Sequence, residues 1–467
     1  MKGLQTYMVQ LCCCCLLLVC SCFFMVSCKK FVVVGPPTGT IVYATAFEDD
    51  KTAKATVNGL YSELLNSPQH FGSYGLSLYP GLSADELQNT DVSATYDPFA
   101  NNSLDAGANA VNSIWIKGYS HIFHANDCHE GLEGASGLTD SVKSRLLSEV
   151  KFIRAYCFFY FVNLYGDVPL TLTTDYAVNV LLPRAAQETV YQQIITDLSE
   201  AINLLPASYA TTGRARVNRQ TAQALLARVY LYRKEWARAE QYATAVIQAG
   251  QYSLAALNNV FLANSTETMW QLNPTGLSYN AYEGRQFIPS STTVVPAFMI
   301  HPNLYAAFEN GDNRKTAWMN RNIIAGVSYY YPYKYKVRTN PSGVTVATEN
   351  SILFRLAEQY LIRAEARAEL DNISGAQEDL NKLRNRAGLA NTTANNKLLL
   401  LSAIEQERRV ELFCETGHRW LDLKRRNRAD AVLGPVKGAN WQAADVLYPI
   451  PAKQIELNRS LTQNPGY

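Results

Sequence analysis

The sequence predicts a mainly α-helical fold with one long loop-rich interruption, on three observations. Apolar residues recur at helical spacing over long stretches. Two of those stretches lead into a second helix through the same pattern of small residues. Between about residues 251 and 350, Pro, Gly, Asn, Ser and Tyr interleave with no sustained period. The 467 residues, 48% hydrophobic and 18% charged, suffice to bury one large core or two smaller ones.

In chain order, the first element is a leader. Lys2 gives a positive start, Leu11 to Val26 is apolar apart from Ser21, and Ser27 places a small residue before Cys28. Lys29 and Lys30 end the run, which argues for an export signal over residues 1–27 rather than a membrane span. The junction resembles a bacterial lipobox, with Met25 where the pattern usually has Leu, and implies cleavage before Cys28 and acylation of it. Several acyl chains on one residue give stable anchoring where a single chain does not. Residues 28–40, with Gly35, Pro36, Pro37 and Gly39, read as a lipid-anchored linker, and 41–467 as one domain. Seven of the 10 Cys lie in the first 28 residues. The body, with Cys128, Cys157 and Cys414, is therefore no disulfide scaffold, and the last two read as small hydrophobes within buried helix.

Helices follow. Asp49 to Leu65 and Glu188 to Leu205 each carry a helical pattern, and Val142, Leu146, Val150, Ile153, Cys157, Tyr160, Phe161 and Leu164 mark a longer one stopped by Gly166 and Pro169. Ala222, Leu225, Leu226, Val229 and Tyr230 form another stripe, as do Leu353, Ala357, Tyr360, Leu361, Ala364 and Ala368. Small residues at matching positions, Ala227 and Ala239 in one case and Ala364 and Ala376 in the other, suit helix pairs of tetratricopeptide type, three or four of them in a curved stack. Within 251–350 the segments 328–335 and 343–348 read as short strands.

Lys+Arg total 42 against 40 Asp+Glu, and the lack of any basic block argues against nucleic acid. Glu407, Glu411 and Glu415 share one helix face, so they cannot flank a scissile glycosidic bond from two sides. Arg408, Arg409, Arg419 and Asp422 read as structural ion pairs, Arg408 because it falls on an apolar stripe and must find an acidic partner. His121, His124 and His129, with Asp127 and Glu130, read as polar helix surface, since no metal-binding spacing accompanies them. Nothing indicates a cofactor, a metal or a catalytic constellation.

The 28 Tyr, 17 Phe and 6 Trp exceed what a helical core of this size needs. Sugars offer C–H faces to aromatic rings and hydroxyls to polar side chains, so exposed rings beside polar forks suit an oligosaccharide. Two stretches fit. One is 74–99, with Tyr79, Asp85, Glu86, Asn89, Asp91 and Tyr96; the other is 279–333, with Tyr282, Arg285, Trp318, Tyr329, Tyr330 and Tyr331. From these, Tyr79, Asp85, Asn89, Tyr96, Tyr282, Arg285, Trp318, Tyr329 and Tyr330 are the candidate ligand contacts.

From Cys28 to Tyr467 the chain resembles the SusD/RagB family of outer-membrane nutrient-binding lipoproteins. The resemblance is carried by Glu149 to Ala155, Tyr165-Gly166-Asp167-Val168-Pro169, Arg219 to Leu231, Leu380 to Gly388, Glu407 to Leu412, Gly417 to Arg425, Tyr448-Pro449-Ile450-Pro451 and the ending Gln463 to Tyr467, in the family order. It implies a SusD-like helical fold with a shallow ligand site on the loop-rich face. It also implies a lid role over a SusC-like TonB-dependent transporter at the cell surface. The ligand implied is an oligosaccharide, or a peptide as in the RagB branch. The rivals are a surface hydrolase and a tetratricopeptide adaptor without a small ligand.

Overall fold

The computed structural model describes residues 3, 45–66, 71–72, 74–274 and 280–467. The predicted leader, Cys28 and the 28–40 linker lie outside them. From Phe47 onward the chain forms one compact unit.

Five elements open it: α1 (Asp50–Asn66), α2 (Tyr74–Ser83), β1 (Leu87–Asn89), α3 (Asp97–Asn101) and α4 (Asn109–Gly134). Asp49 caps α1 by accepting from the Thr52 amide at 2.8 Å. α5 (Asp140–Tyr165) is the central helix. Its C-terminal half, from Tyr156 to Val162, is buried on every side, as an all-round apolar helix must be. It stops where Gly166 takes φ +78°, a backbone state that costs a side-chain-bearing residue but not glycine. There follow β2 (Val168–Pro169), α6 (Tyr176–Asn179), β3 (Arg184–Ala185) and α7 (Gln187–Leu204), which lies along α5. Arg154 clamps α7 to α5 through two bonds to Asp197, at 2.7 and 2.8 Å.

The helix pairs come next: α8 (Arg219–Tyr232) with α9 (Trp236–Gln248), and, after the interruption, α13 (Leu356–Glu369) with α14 (Ile373–Arg386). α9 packs on α13, so the pairs are consecutive in space. The matched alanines Ala227, Ala239, Ala364 and Ala376 are all fully buried. The equivalence extends to the turns, where Lys234 and Asp371 occupy the same register and both take φ +59°. α15 (Lys397–Glu411), α16 (His418–Arg425), α17 (Ala429–Lys437) and α18 (Ala452–Leu457) complete the chain. Cys128, Cys157 and Cys414 are buried free thiols. Cys414 sits in the turn between α15 and α16 at φ +51°, not in a helix as the sequence suggests.

The interruption leaves and rejoins the frame at one place, because β4 (Thr268–Leu272) pairs antiparallel with β8 (Ser351–Arg355). Between them lie α10 (Tyr282–Phe287), β5 (Phe298–Ile300), α11 (Pro302–Ala307), α12 (Asn313–Trp318), β6 (Met319–Ile324) and β7 (Val327–Pro332). Three six-residue helices are too short to show a period in sequence, so they read there as loop. The predicted strand over 328–335 is β7, shorter and paired with the unforeseen β6 through a two-residue turn in which Ala325 and Gly326 both take positive φ. The predicted strand at 343–348 is instead turn and irregular backbone.

Buried charge fixes this insertion to the helices. Glu411 of α15 accepts from Arg314 at 2.9 Å, from Arg355 at 2.6 Å and from Arg386. Arg314 also binds Glu407 at 2.5 Å and Asp312 at 2.8 Å; Arg355 binds Glu267 at 2.8 Å and Glu415 at 2.6 Å; and Lys334 binds Glu415. The three glutamates are thus a buried ionic seam, but they do not share the helix face that the sequence suggests: Glu407 and Glu411 lie on α15, and Glu415 lies in the turn beyond its end. Arg408 meets Asp422 at 2.7 Å, the structural pairing expected of it.

Candidate ligand-binding face

β1 and β5 pair antiparallel, and β7 lies beside β5, so the first candidate stretch meets the insertion at a small common surface. The segment 291–297 runs through it and is tied on both flanks. Thr90 donates its amide to the Ala297 carbonyl at 2.9 Å, while Asn322 of β6 donates to the carbonyls of Ser291 and Val294 at 2.8 and 2.7 Å.

The outer edge of this surface carries an aromatic pair. Tyr305 of α11 and Tyr330 of β7 lie with ring centroids 4.3 Å apart and planes tilted by 37°. The Tyr305 hydroxyl donates to that of Tyr330 at 3.1 Å, and Arg321 Nη1 donates to the same oxygen at 3.2 Å. Tyr330 thus accepts two bonds and keeps its own proton to offer outward. The bond from Tyr305, helped by the charges of Arg321 and Lys315, holds the Tyr330 phenol below its usual pKa. Lys315 Nζ stands 3.7 Å from the Tyr305 ring centroid, a cation–π contact. Rings, a polarised hydroxyl and two cations give apolar stacking surface with hydrogen-bond donors around it.

On the other flank a polar cleft of ≈ 340 Å³ is lined by Asn89, Asp97, Asn101, His301, Lys437 and Asn440, among others. Asn89 Nδ2 donates to Asp97 at 2.7 Å. His301 Nδ1 accepts from the Asn303 amide at 3.1 Å, and burial lowers the His301 pKa, so its imidazole is neutral at pH 7. A wider hollow of ≈ 670 Å³ between Leu262, Asn273 and Val346 has no aromatic lining among the described residues.

The candidate contacts divide. Asn89 and Tyr96 are half-buried in the first stretch, with Tyr96 edge-on to Phe298 at 4.9 Å. Arg285 is exposed and Tyr282 half-buried on α10. Tyr329 and Tyr330 do not act together: alternation along β7 sends them to opposite faces, and Tyr330 is the one opposite Arg321 in register. Three residues expected at the surface are inside. Trp318 is fully buried, donating Nε1–H to the Leu257 carbonyl at 2.9 Å beneath Phe261. Tyr79 is 6% exposed and packs on Phe99 at 4.5 Å. Asp85 is 1% exposed; burial alone would raise its pKa, but Arg419 at 2.7 Å and Arg409 hold it below the usual carboxylate range. It belongs to the frame. Tyr305, Lys315 and Arg321 escaped the sequence reading, as did His301 and Lys437.

The histidines are not all the polar helix surface that the sequence suggests, for His121 is 2% exposed. His124 Nδ1 bonds Glu63 at 2.6 Å, and His121 is buried; among the described residues no group of three or more His, Cys, Asp and Glu side chains is set to hold a metal ion. A second surface feature lies elsewhere, an apolar groove of ≈ 420 Å³ lined by Trp115, Ile116, Tyr119, Tyr176 and Leu457. Tyr176 and Leu457 there are 77% and 65% exposed. No helix among the described residues is long and apolar enough to cross a membrane.

Comparison with known proteins adds the following. The profile described as SusD family matches residues 278–467, and that described as "Starch-binding associating with outer membrane" matches 49–231. SusD-like protein P25 of Formosa agariphila is 25% identical, over 95% of this chain and 97% of its own length. Starch-binding protein SusD of Bacteroides thetaiotaomicron is 24% identical over 72% of this chain and 75% of its own. Among solved structures, surface glycan-binding protein A from Bacteroides thetaiotaomicron superposes with a TM-score of 0.75 at 21% identity, covering 90% of this chain and 100% of that one.

Proposed function

Because the chain belongs to the SusD/RagB family, we propose that it is a nutrient-binding lipoprotein that captures an oligosaccharide and passes it to a SusC-like TonB-dependent transporter, closing over it as a lid. The observation that carries the carbohydrate part is the Tyr305–Tyr330 pair with Arg321 bonded to the Tyr330 hydroxyl. Half-buried, fixed rings give stacking area at low entropic cost, and a polarised O–H beside a guanidinium recognises ring and hydroxyl oxygens. The description of SusD as a starch-binding protein supports the same ligand class.

The role is binding, not hydrolysis. Glycoside cleavage needs two carboxyl groups on opposite sides of the bond, roughly 5 to 10 Å apart. The conspicuous glutamates, Glu407 and Glu411 of α15 and Glu415 just beyond it, are instead buried against arginines.

In this reading residues 1–27 direct export, Cys28 carries the lipid, 28–40 form the tether and 41–467 the binding domain, at the outer membrane and facing outward. The description of the second matching profile supports the location. The apolar groove around Tyr176 and Leu457 supports a protein partner, since an exposed apolar patch of this kind is costly without one.

Calorimetry of the mature protein against a panel of neutral and acidic glycans, with Tyr330→Ala and Tyr305→Ala alongside, tests the site. Each substitution is expected to weaken binding by roughly two- to tenfold, the order of one lost aromatic contact. Unchanged affinity in both would remove the assignment, and new reducing ends in the incubated glycan would move the protein to the enzymes. Cys28→Ser should abolish incorporation of labelled palmitate.

A further inference from the structure

We infer that the oligosaccharide this site takes is acidic, a uronate- or sulfate-bearing chain whose anionic groups dock on Lys315 and Arg321; the inference rests on the carbohydrate reading above. Charge pairing is the first observation. In the buried seam the arginines are matched with carboxylates, Arg314 with three and Arg355 with three. The cations at the aromatic pair are not. Among the described residues Lys315 and Arg321 form no ion pair: Lys315 lies over the Tyr305 ring, and Arg321 donates to the hydroxyls of Ser328 and Tyr330. Their charges are held in place by neutral groups, which leaves both cations open to pair with an incoming anion.

A second like-charge pair occurs on the same insertion. Arg285 of α10 is exposed, and Arg338 is close enough for Arg285 to add to the lowering that burial imposes on its pKa. Arg338 donates to the Ile288 carbonyl at 3.0 Å, and among the described residues neither arginine forms an ion pair. Cations set near one another without counter-ions destabilise the free protein slightly and favour an incoming anion by the same interaction.

The opposite flank has the complementary character. The carboxylates there, Asp91 bonded by the Ser93 amide at 2.8 Å and Asp97 by Asn89 at 2.7 Å, would repel an anion, and the one lysine of the cleft lining, Lys437, spends its ammonium on the carbonyls of Leu82 and Ala100 at 2.7 Å each. A ligand with carboxylates directed to the β6–β7 hairpin and neutral hydroxyls directed to Asn89 and Asp97 satisfies both flanks. A uniformly neutral glycan satisfies only one. With a net charge of only +2 over the chain, the local pattern and not the global field sets this preference.

The test uses the mature protein with three probes: oligogalacturonate, a neutral malto-oligosaccharide and poly-glutamate. Oligogalacturonate is expected to bind best, with affinity that falls as sodium chloride is raised through the range where exposed charges are screened. Arg321→Gln and Lys315→Gln should each weaken it about tenfold, the order of one charge-assisted bond, and Arg321→Lys should recover part of the loss. Neutral binding equal to or tighter than oligogalacturonate, insensitive to salt and to Arg321→Gln, overturns the acidic assignment and leaves the carbohydrate reading standing. Retention of poly-glutamate alone overturns both in favour of a peptide ligand. Binding of none of the three, by a protein shown to be folded, removes the carbohydrate reading itself.

Discussion

Replacing Glu411 by Gln tests whether the insertion is held to the frame by charge. Glu411 has no exposure and three arginine partners: Arg355 at 2.6 Å, Arg314 at 2.9 Å and Arg386. Burial would raise its pKa, yet Arg386, Arg355 and Arg314 together hold it well below 4.5. Removing one member of a buried pair costs roughly 3 to 5 kcal/mol, because the partner stays desolvated and uncompensated. Here each arginine keeps another carboxylate: Asp312 or Glu407 for Arg314, Glu267 or Glu415 for Arg355, Glu267 for Arg386. The loss should therefore fall at the low end, about 3 kcal/mol at pH 7. The group's folded pKa is depressed, so its contribution is present above pH 4.5 and is lost as the pH falls. The gap between wild type and Glu411→Gln should then narrow under acid. Urea denaturation at pH 7 and at pH 4 gives the energies, and hydrogen exchange gives the location, with protection lost first over 313–334. A loss under about 1 kcal/mol with unchanged exchange would mean that apolar packing alone holds the insertion.

Three further outcomes follow from the same structure. Trp318→Ala should cost about 3 to 5 kcal/mol of stability, read by thermal unfolding, while glycan affinity of the folded fraction stays within about twofold; a selective loss of binding would put Trp318 back in the site. Burial pushes the Glu86 carboxyl up to about 8, so the folded state binds a proton there and stability declines as pH rises from 4.5 to 8. Glu86→Gln keeps an acceptor for the Cys414 amide and should flatten that decline by a few kcal/mol in denaturation at pH 5 and pH 8; an unchanged slope would show Glu86 ionised in the fold. Gly118→Ala places a methyl 2.6 Å from the Phe161 ring and 2.9 Å from Phe71, and should lower stability by about 1 to 3 kcal/mol in the same denaturation assay.

The helical frame was legible because its information is local. Periodicity shows α5, and the Ala227/Ala364 register shows two of the three or four expected helix pairs; that their turns match at Lys234 and Asp371 is visible only in the structure. The site was legible only in outline, because exposure is a long-range property. Asp85 and Trp318 look like loop residues in sequence, but the partner that buries Asp85 is Arg419, 334 positions away. Trp318 closes a helix too short to announce itself. Tyr305 and Arg321 acquire meaning only beside Tyr330, and that requires the β6 pairing, whose Ala-Gly turn is not a strong hairpin signal. Cys414 was misplaced because the apolar stripe of α15 runs on past the point where the backbone turns left-handed.

The antiparallel closure of β4 on β8 gives the insertion a single doorway. A chain that departs and returns through one paired root has its ends fixed whatever lies between. Lengthening or shortening the contents changes the closure entropy only logarithmically, by about 0.6 kcal/mol per doubling. The recognition surface therefore behaves as a cassette: the positions of its hairpin and short helices outside the Arg314 and Lys334 ion pairs can be rewritten for another polymer while the helices behind the doorway keep their packing.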